Sequence, residues 1–162
     1  HFQTAHHDIY DGDLNAPPDS PEAAGTVGAV ALDQAGNLAA ATSSGGTTNK
    51  YSGRIGQACL PGAGVYAHNA TCAVSCTGQG EAFMRSAAAY DVAALMEYGG
   101  LDLEAAAERV IRQRLPGKGG LIAIDARGRV ALPFNTEGMY RGWLGSDGRI
   151  RTAIYETVKD WV

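Results

Sequence analysis

The sequence is short of the features that mark several protein classes. It holds no apolar run of about 18 residues, so no segment reads as a membrane-spanning helix. No charged leader followed by an apolar stretch is visible, and the start at His1 instead of Met reads as a piece preceded by more chain. Basic residues are few. The 13 Lys and Arg against 17 Asp and Glu leave a formal net charge of −4, with no basic stripe, so nucleic acid is not an expected partner. There is no acidic tail and no internal repeat. Only three cysteines occur, Cys59, Cys72 and Cys76, which do not make a disulfide framework or a zinc site. All three read as small core residues in a reducing, cytoplasmic setting.

What is present suits one globular domain. The 162 residues are 45% hydrophobic and 19% charged, enough to bury a core, and 22 glycines allow tight turns and close backbone approach. Residues 1–25 are rich in Asp, Pro, Ala and Gly and read as a flexible linker or tail. His6, His7 and Asp8 there suit solvation better than metal binding, and no metal ligand is assigned. The character changes at Thr26. TVGAVALD (26–33) and NLAAATSS (37–44) flank a Gly-containing turn and predict a hairpin, apolar enough to suggest cover on both faces. A glycine-rich loop (45–62) follows, then strands over 63–69 and 71–77. Apolar residues recur at helical spacing over 78–100, and a second helix is expected over 101–115, stopped by Pro116-Gly117. Strands then return at 120–126, 129–135, 139–143 and 151–157. The order implies an α+β fold with helices stacked on sheet.

One dipeptide carries a chemical possibility. A threonine opening a strand after a Gly-ended tail is, locally, an ordinary β-former. If the Gly25–Thr26 bond were cut, Thr26 would carry both a hydroxyl nucleophile and a free α-amine. The hydroxyl needs a neighbouring base, and an α-amine with a pKa of about 7.7–8.0 can serve as one.

The segments TVGAVALDQAGNLAAATSSGG (26–46), GRIGQA (53–58), GAGVYAHN (62–69), SCTGQGE (75–81) and GGLIAIDARGRVALPFNTEGMYRGW (119–143) decide between these readings. In order and spacing they resemble the isoaspartyl peptidase/plant-type L-asparaginase family of N-terminal-nucleophile hydrolases, over essentially all of 25–157. That resemblance implies a precursor cut between Gly25 and Thr26 into two subunits of one four-layer αββα sandwich. Residues 1–25 would end the upstream α subunit, otherwise absent here, and 26–162 would be the nucleophile-bearing β subunit. An (αβ)2 assembly is implied, with no cofactor in this chain, and the family's sodium loop falls in the upstream half.

By the same resemblance Thr26 is the nucleophile and Ser44 the hydroxyl beside it. Arg54 holds the substrate α-carboxylate, for which a guanidinium fork is well shaped. Thr77 and Gly78 form the oxyanion hole, expected at the start of the first helix, and Gly80 is a substrate-contacting position. Two residues depart from the usual asparaginase pattern: Ser44 replaces Thr, and Gln57 replaces the Asp that pairs with the substrate α-ammonium. The departures look like the taspase branch of threonine endopeptidases, which cut after Asp. TGQGE and FNTEGMY look like the asparaginase branch, and the long taspase insertion is lacking. The expected function is hydrolysis of L-asparagine and N-terminal β-aspartyl peptides. The alternatives are a taspase-like endopeptidase or an inactive, unprocessed fragment.

Overall fold

The computed structural model describes residues 3–8, 24–47, 50–155 and 158–161. Two antiparallel sheets and a helical layer make up the mixed α/β architecture. The first sheet has the order β10-β9-β8-β1-β2-β3. Its strands are β1 (Gln3–Asp8), β2 (Ala24–Leu32), β3 (Leu38–Thr47), β8 (Tyr140–Leu144), β9 (Ile150–Ala153) and β10 (Val158–Trp161). The second has the order β4-β5-β6-β7, from β4 (Val65–Ala67), β5 (Cys72–Gly78), β6 (Gly119–Asp125) and β7 (Val130–Ala131). Helices α1 (Gly80–Ser86), α2 (Ala88–Glu97) and α3 (Leu103–Glu108) cover its outer face.

Alternation along β5 separates two cores. Cys72, Val74 and Cys76 point at the helices and pack with Phe83, Val92, Leu103 and Ile111. Ala73 points the other way, to Val30, Leu38, Ile122, Ile124 and Met139 between the sheets. The described residues therefore form three layers, sheet on sheet on helix. The fourth layer of the expected αββα sandwich is not among them.

The β2–β3 hairpin follows from its turn. Asp33 Oδ1 accepts the amides of Ala35 (2.9 Å) and Asn37 (2.7 Å), and Asn37 Nδ2 donates to Asp33 Oδ2 at 2.9 Å. Gly36 supplies the left-handed residue at φ +85°. These bonds hold the Asp33 carboxyl below its ordinary pKa, the Asn37 side chain contributing most. The turn sets the register from Leu32↔Leu38 to Thr26↔Ser44.

Several expectations are corrected. The strand does not begin at Thr26 but runs unbroken through Gly25–Thr26 from Ala24. Within the stretch read as a tail, Gln3–Asp8 forms β1 between β2 and β8. Residues 9–23 lie outside the described residues, as do the side chains of His6, His7 and Asp8. Among the described residues the hairpin is covered on one face, with Val27, Ala39, Ala41 and Ser43 exposed on the other, whereas β5 and β6 are buried on both. Cys72 and Cys76 are core residues; burial pushes the Cys72 thiol up to about 12 and Cys76 higher still. Cys59, in contrast, is exposed.

The helical stretch 78–100 is broken at Ala87, which adopts a left-handed conformation at φ +47°. The break frees the first amides of α2, and Ala89 and Tyr90 donate theirs to the carbonyls of Ala63 (3.2 Å) and Gly62 (2.8 Å). The helix expected over 101–115 starts at the Asp102 cap, whose Oδ1 accepts the Ala105 amide at 2.8 Å. After α3 it widens into a π-helical turn, Arg109–Arg114.

Candidate active site

The site is built where the hairpin meets the second sheet. Thr26 and Ser44 are opposite each other in the ladder, so their side chains share the face turned to that sheet. Beyond them the register shifts: Gly25 pairs with Gly46, and Gly45 is the extra residue of a bulge. The bulge gathers three contacts on one oxygen. Ser44 Oγ accepts from Thr26 Oγ1 at 3.1 Å and from the Gly46 amide at 3.0 Å, and donates to the Gly25 carbonyl at 3.0 Å. A hydroxyl offers one donor and two acceptor sites, and here all are used. Thr26 itself is buried.

Two residues along β3, the polar strip continues. Thr42 Oγ1 lies 2.5 Å from Ser75 Oγ and 3.1 Å from the Gly64 carbonyl, joining β3 to β5. Ser75 and Thr77 share a face of β5, so the buried Thr77 hydroxyl also belongs to the space between the sheets.

Thr77 and Gly78 do not open the first helix; they close β5, and α1 begins at Gly80 after the Gln79 cap. Their neighbours explain the glycines. Gly78 (φ +139°) is paired with Gly119 (φ +148°), and a Cβ on Gly78 would stand 2.1 Å from the Lys118 carbonyl oxygen. Only glycine permits that approach.

Arg54 and Gln57 come from the loop between β3 and β4, but they face different ways. Arg54 lines a cleft of about 300 Å³ with Thr42, Ser44, Gly46, Lys50 and Gly56. Its Nε and Nη2 are held by Glu81 of α1, at 2.8 and 3.2 Å. That bond is the main reason the Glu81 carboxyl sits below the ordinary range. Gln57 is buried and does not line the cleft. Its Nε2 donates to the Cys76 carbonyl at 3.4 Å, and its Oε1 lies 2.7 Å from where a Cβ on Gly80 would stand. Gly80 thus makes room for Gln57.

Comparison with known proteins identifies the family. The asparaginase family model matches residues 2–154. The chain belongs to the asparaginase family. Among curated members, isoaspartyl peptidase of Escherichia coli (strain K12) is 61% identical over 150 residues, covering 91% of this chain and 47% of that protein. Isoaspartyl peptidase of Salmonella typhimurium is 62% identical over 143 residues, 86% of this chain and 46% of that one. A probable isoaspartyl peptidase/L-asparaginase of Arabidopsis thaliana is 49% identical over 144 residues, 88% and 44% respectively. The asparaginase-family chain thus spans about half the length of the curated relatives it matches.

Three residues at or near this candidate site are not singled out by the sequence motifs: Glu81, Lys50 and Asn135. Glu81 and Asn135 stand inside recognised segments, TGQGE and FNTEGMY, but their partners lie far away in the chain. Asn135 Nδ2 donates to the carbonyls of Ile111 (2.6 Å) and Leu115 (2.7 Å), at the π-helical turn. Its Oδ1 accepts the Gly119 amide at 3.1 Å, and its own amide donates to the Gly119 carbonyl at 3.0 Å. One side chain therefore fixes the strand that faces Gly78. Among the described residues no group of three His, Cys, Asp or Glu could hold a metal, and no helix is long and apolar enough to cross a membrane.

Proposed function

We propose that this chain supplies the nucleophile and carboxylate anchor of a self-processing threonine amidohydrolase acting on L-asparagine and N-terminal β-aspartyl peptides. The observation that carries the reading is the Ser44 hydroxyl, bonded at once to Thr26 Oγ1 and to the carbonyl of Gly25. Donation to that carbonyl polarises the Gly25–Thr26 amide, and the nucleophile lies in the adjoining residue. Thr26 Oγ attacks the Gly25 carbon, the C–N bond breaks, and the acyl group moves from nitrogen to oxygen. Water then hydrolyses the ester, leaving a carboxylate on Gly25 and a free amine on Thr26.

In the processed enzyme that amine takes the Thr26 hydroxyl proton as Oγ attacks the substrate side-chain amide. Thr77 and the Gly78 N–H stabilise the oxyanion, and Arg54 holds the α-carboxylate. Ammonia or a peptide amine leaves with the proton. Water clears the aspartyl ester and restores Thr26. The upstream half of the protein completes the fold and pairs with this one.

The test uses the full-length protein. A fragment beginning at Thr26 should be found by mass, with release of aspartate from L-asparagine and from a β-aspartyl dipeptide. Thr26→Ala should abolish both. Cleavage at 25–26 persisting in Thr26→Ala would sink the reading.

A further inference from the structure

Two cations share one glycine in the wall of the cleft. Lys50 Nζ lies 2.9 Å, and Arg54 Nη1 3.3 Å, from the single point where a Cβ on Gly46 would stand. Both side chains line the cleft, and no carboxylate is among its described lining residues. Among the described residues, each cation is held in a way that leaves donors unused. Lys50 Nζ gives one bond to the Gly45 carbonyl at 2.6 Å, out of the three an ammonium can make. Arg54 commits Nε and Nη2 to Glu81, which stands outside the cleft, and turns Nη1 towards Gly46 and Gly56. The Arg54 side chain is only 18% exposed.

Like charges this close repel, and a single glutamate does not neutralise two of them. An anion entering between them would accept bonds from both. Gly46 keeps that space open: its backbone at φ +81° disfavours any side chain, and a Cβ there would push Lys50, 2.9 Å away, aside. The neighbouring Gly46 amide is the one bonded to Ser44 Oγ, so the paired cations stand one residue along the bulge from the Thr26–Ser44 contact.

Resting on the function proposed above, we infer that Lys50 is a second cationic contact for the carboxylate that Arg54 binds. The anchor is a Lys50–Arg54 pair closing over Gly46, and Lys50 is a specificity-determining residue for substrates with a free α-carboxylate. An ammonium and a guanidinium differ in role here. The fork orients the carboxylate, whereas the lysine adds point charge and a movable donor.

The experiment measures calorimetric binding to the processed full-length protein. The probes are L-aspartate, which has the α-carboxylate, and L-isoasparagine, in which it is an amide. Wild type, Lys50→Met and Lys50→Arg are compared. Lys50→Met should weaken L-aspartate about tenfold, the loss of one charge-assisted bond, and leave L-isoasparagine unchanged. Lys50→Arg should recover most of the affinity. In turnover, the KM for L-asparagine should rise in Lys50→Met by a similar factor, with kcat the lesser change. Equal L-aspartate affinity in wild type and Lys50→Met overturns the pair and leaves Arg54 as sole anchor. Equal weakening of both probes makes Lys50 merely structural and also overturns it. If wild type itself does not distinguish the probes, or binds neither, the carboxylate anchor and the proposed function fall together.

Discussion

Thr26 and Ser44 face each other across the β2–β3 ladder with their hydroxyl oxygens 3.1 Å apart, and Ser44 reaches on to the Gly25 carbonyl. The serine therefore touches both the attacking group and the bond to be cut. Ser44→Ala should slow the appearance of the Thr26 fragment by at least about tenfold, since a hydrogen bond to the developing oxyanion is worth 1.4 kcal/mol or more. Ser44→Thr should process normally. Time-resolved mass measurement distinguishes them, and unimpaired cleavage in Ser44→Ala would remove the serine from the mechanism.

The Arg54–Glu81 pair makes a statement about pH. Arg54 holds the Glu81 carboxyl below its ordinary value, so the paired state is fully present above the unfolded pKa of about 4.3 and is lost as pH falls through the lower folded value. The KM for L-asparagine should not respond to this pair from pH 8 down to about 5. Glu81→Gln should raise KM across that whole range, because a neutral amide cannot hold the guanidinium side-on with two accepting oxygens. A KM in Glu81→Gln equal to wild type would show that Arg54 is oriented by other contacts.

Asn135 has a structural prediction of its own. Removing its side chain strands the Gly119 amide and takes a donor from the Ile111 and Leu115 carbonyls, of which Leu115 keeps the Lys118 amide at 3.1 Å. Each group stranded in a partly buried place costs about 1–3 kcal/mol, with water recovering part of it. Asn135→Ala should lower unfolding stability by about 2–4 kcal/mol, read from denaturant midpoints at constant slope. A change under about 0.5 kcal/mol would mean the turn closes on itself.

Gln57 is the point at which chemistry and packing compete. Its bond to the Cys76 carbonyl is long, 3.4 Å, so giving it up costs little. Aspartate is one methylene shorter and its carboxylate is repelled by that carbonyl, so the prediction requires it to turn from the interior to the cleft, where it can pair with the substrate α-ammonium. Gln57→Asp should improve kcat/KM for L-asparagine about tenfold, a gain near 1.4 kcal/mol, with no gain for N-acetyl-L-asparagine. The opposite pattern would favour substrates without a free amine, as in the taspase branch.

Much of the fold was legible because it is local. The β2–β3 hairpin depends on Asp33, Gly36 and Asn37, which are close in sequence, and its register then sets Thr26 against Ser44. The alternation of Cys72, Val74 and Cys76 likewise reports one buried face of β5. Motif order named Arg54, Thr77 and Gly78 as one candidate set, and it put the last two on a helix when they end a strand. The reason is that Gly78 is paired with Gly119, 41 residues away in the chain, and the next amide, Gln79, donates to the Lys118 carbonyl at 2.9 Å.

By itself, then, the sequence determined most of the strand pattern, the turn and the family, all of which follow from short-range spacing and residue type. Tertiary structure alone decided the rest. It turned Gln57 inward, gave Arg54 to Glu81, and brought Lys50 over Gly46. These outcomes depend on which distant backbone happens to pass within bonding distance, and no local preference encodes that.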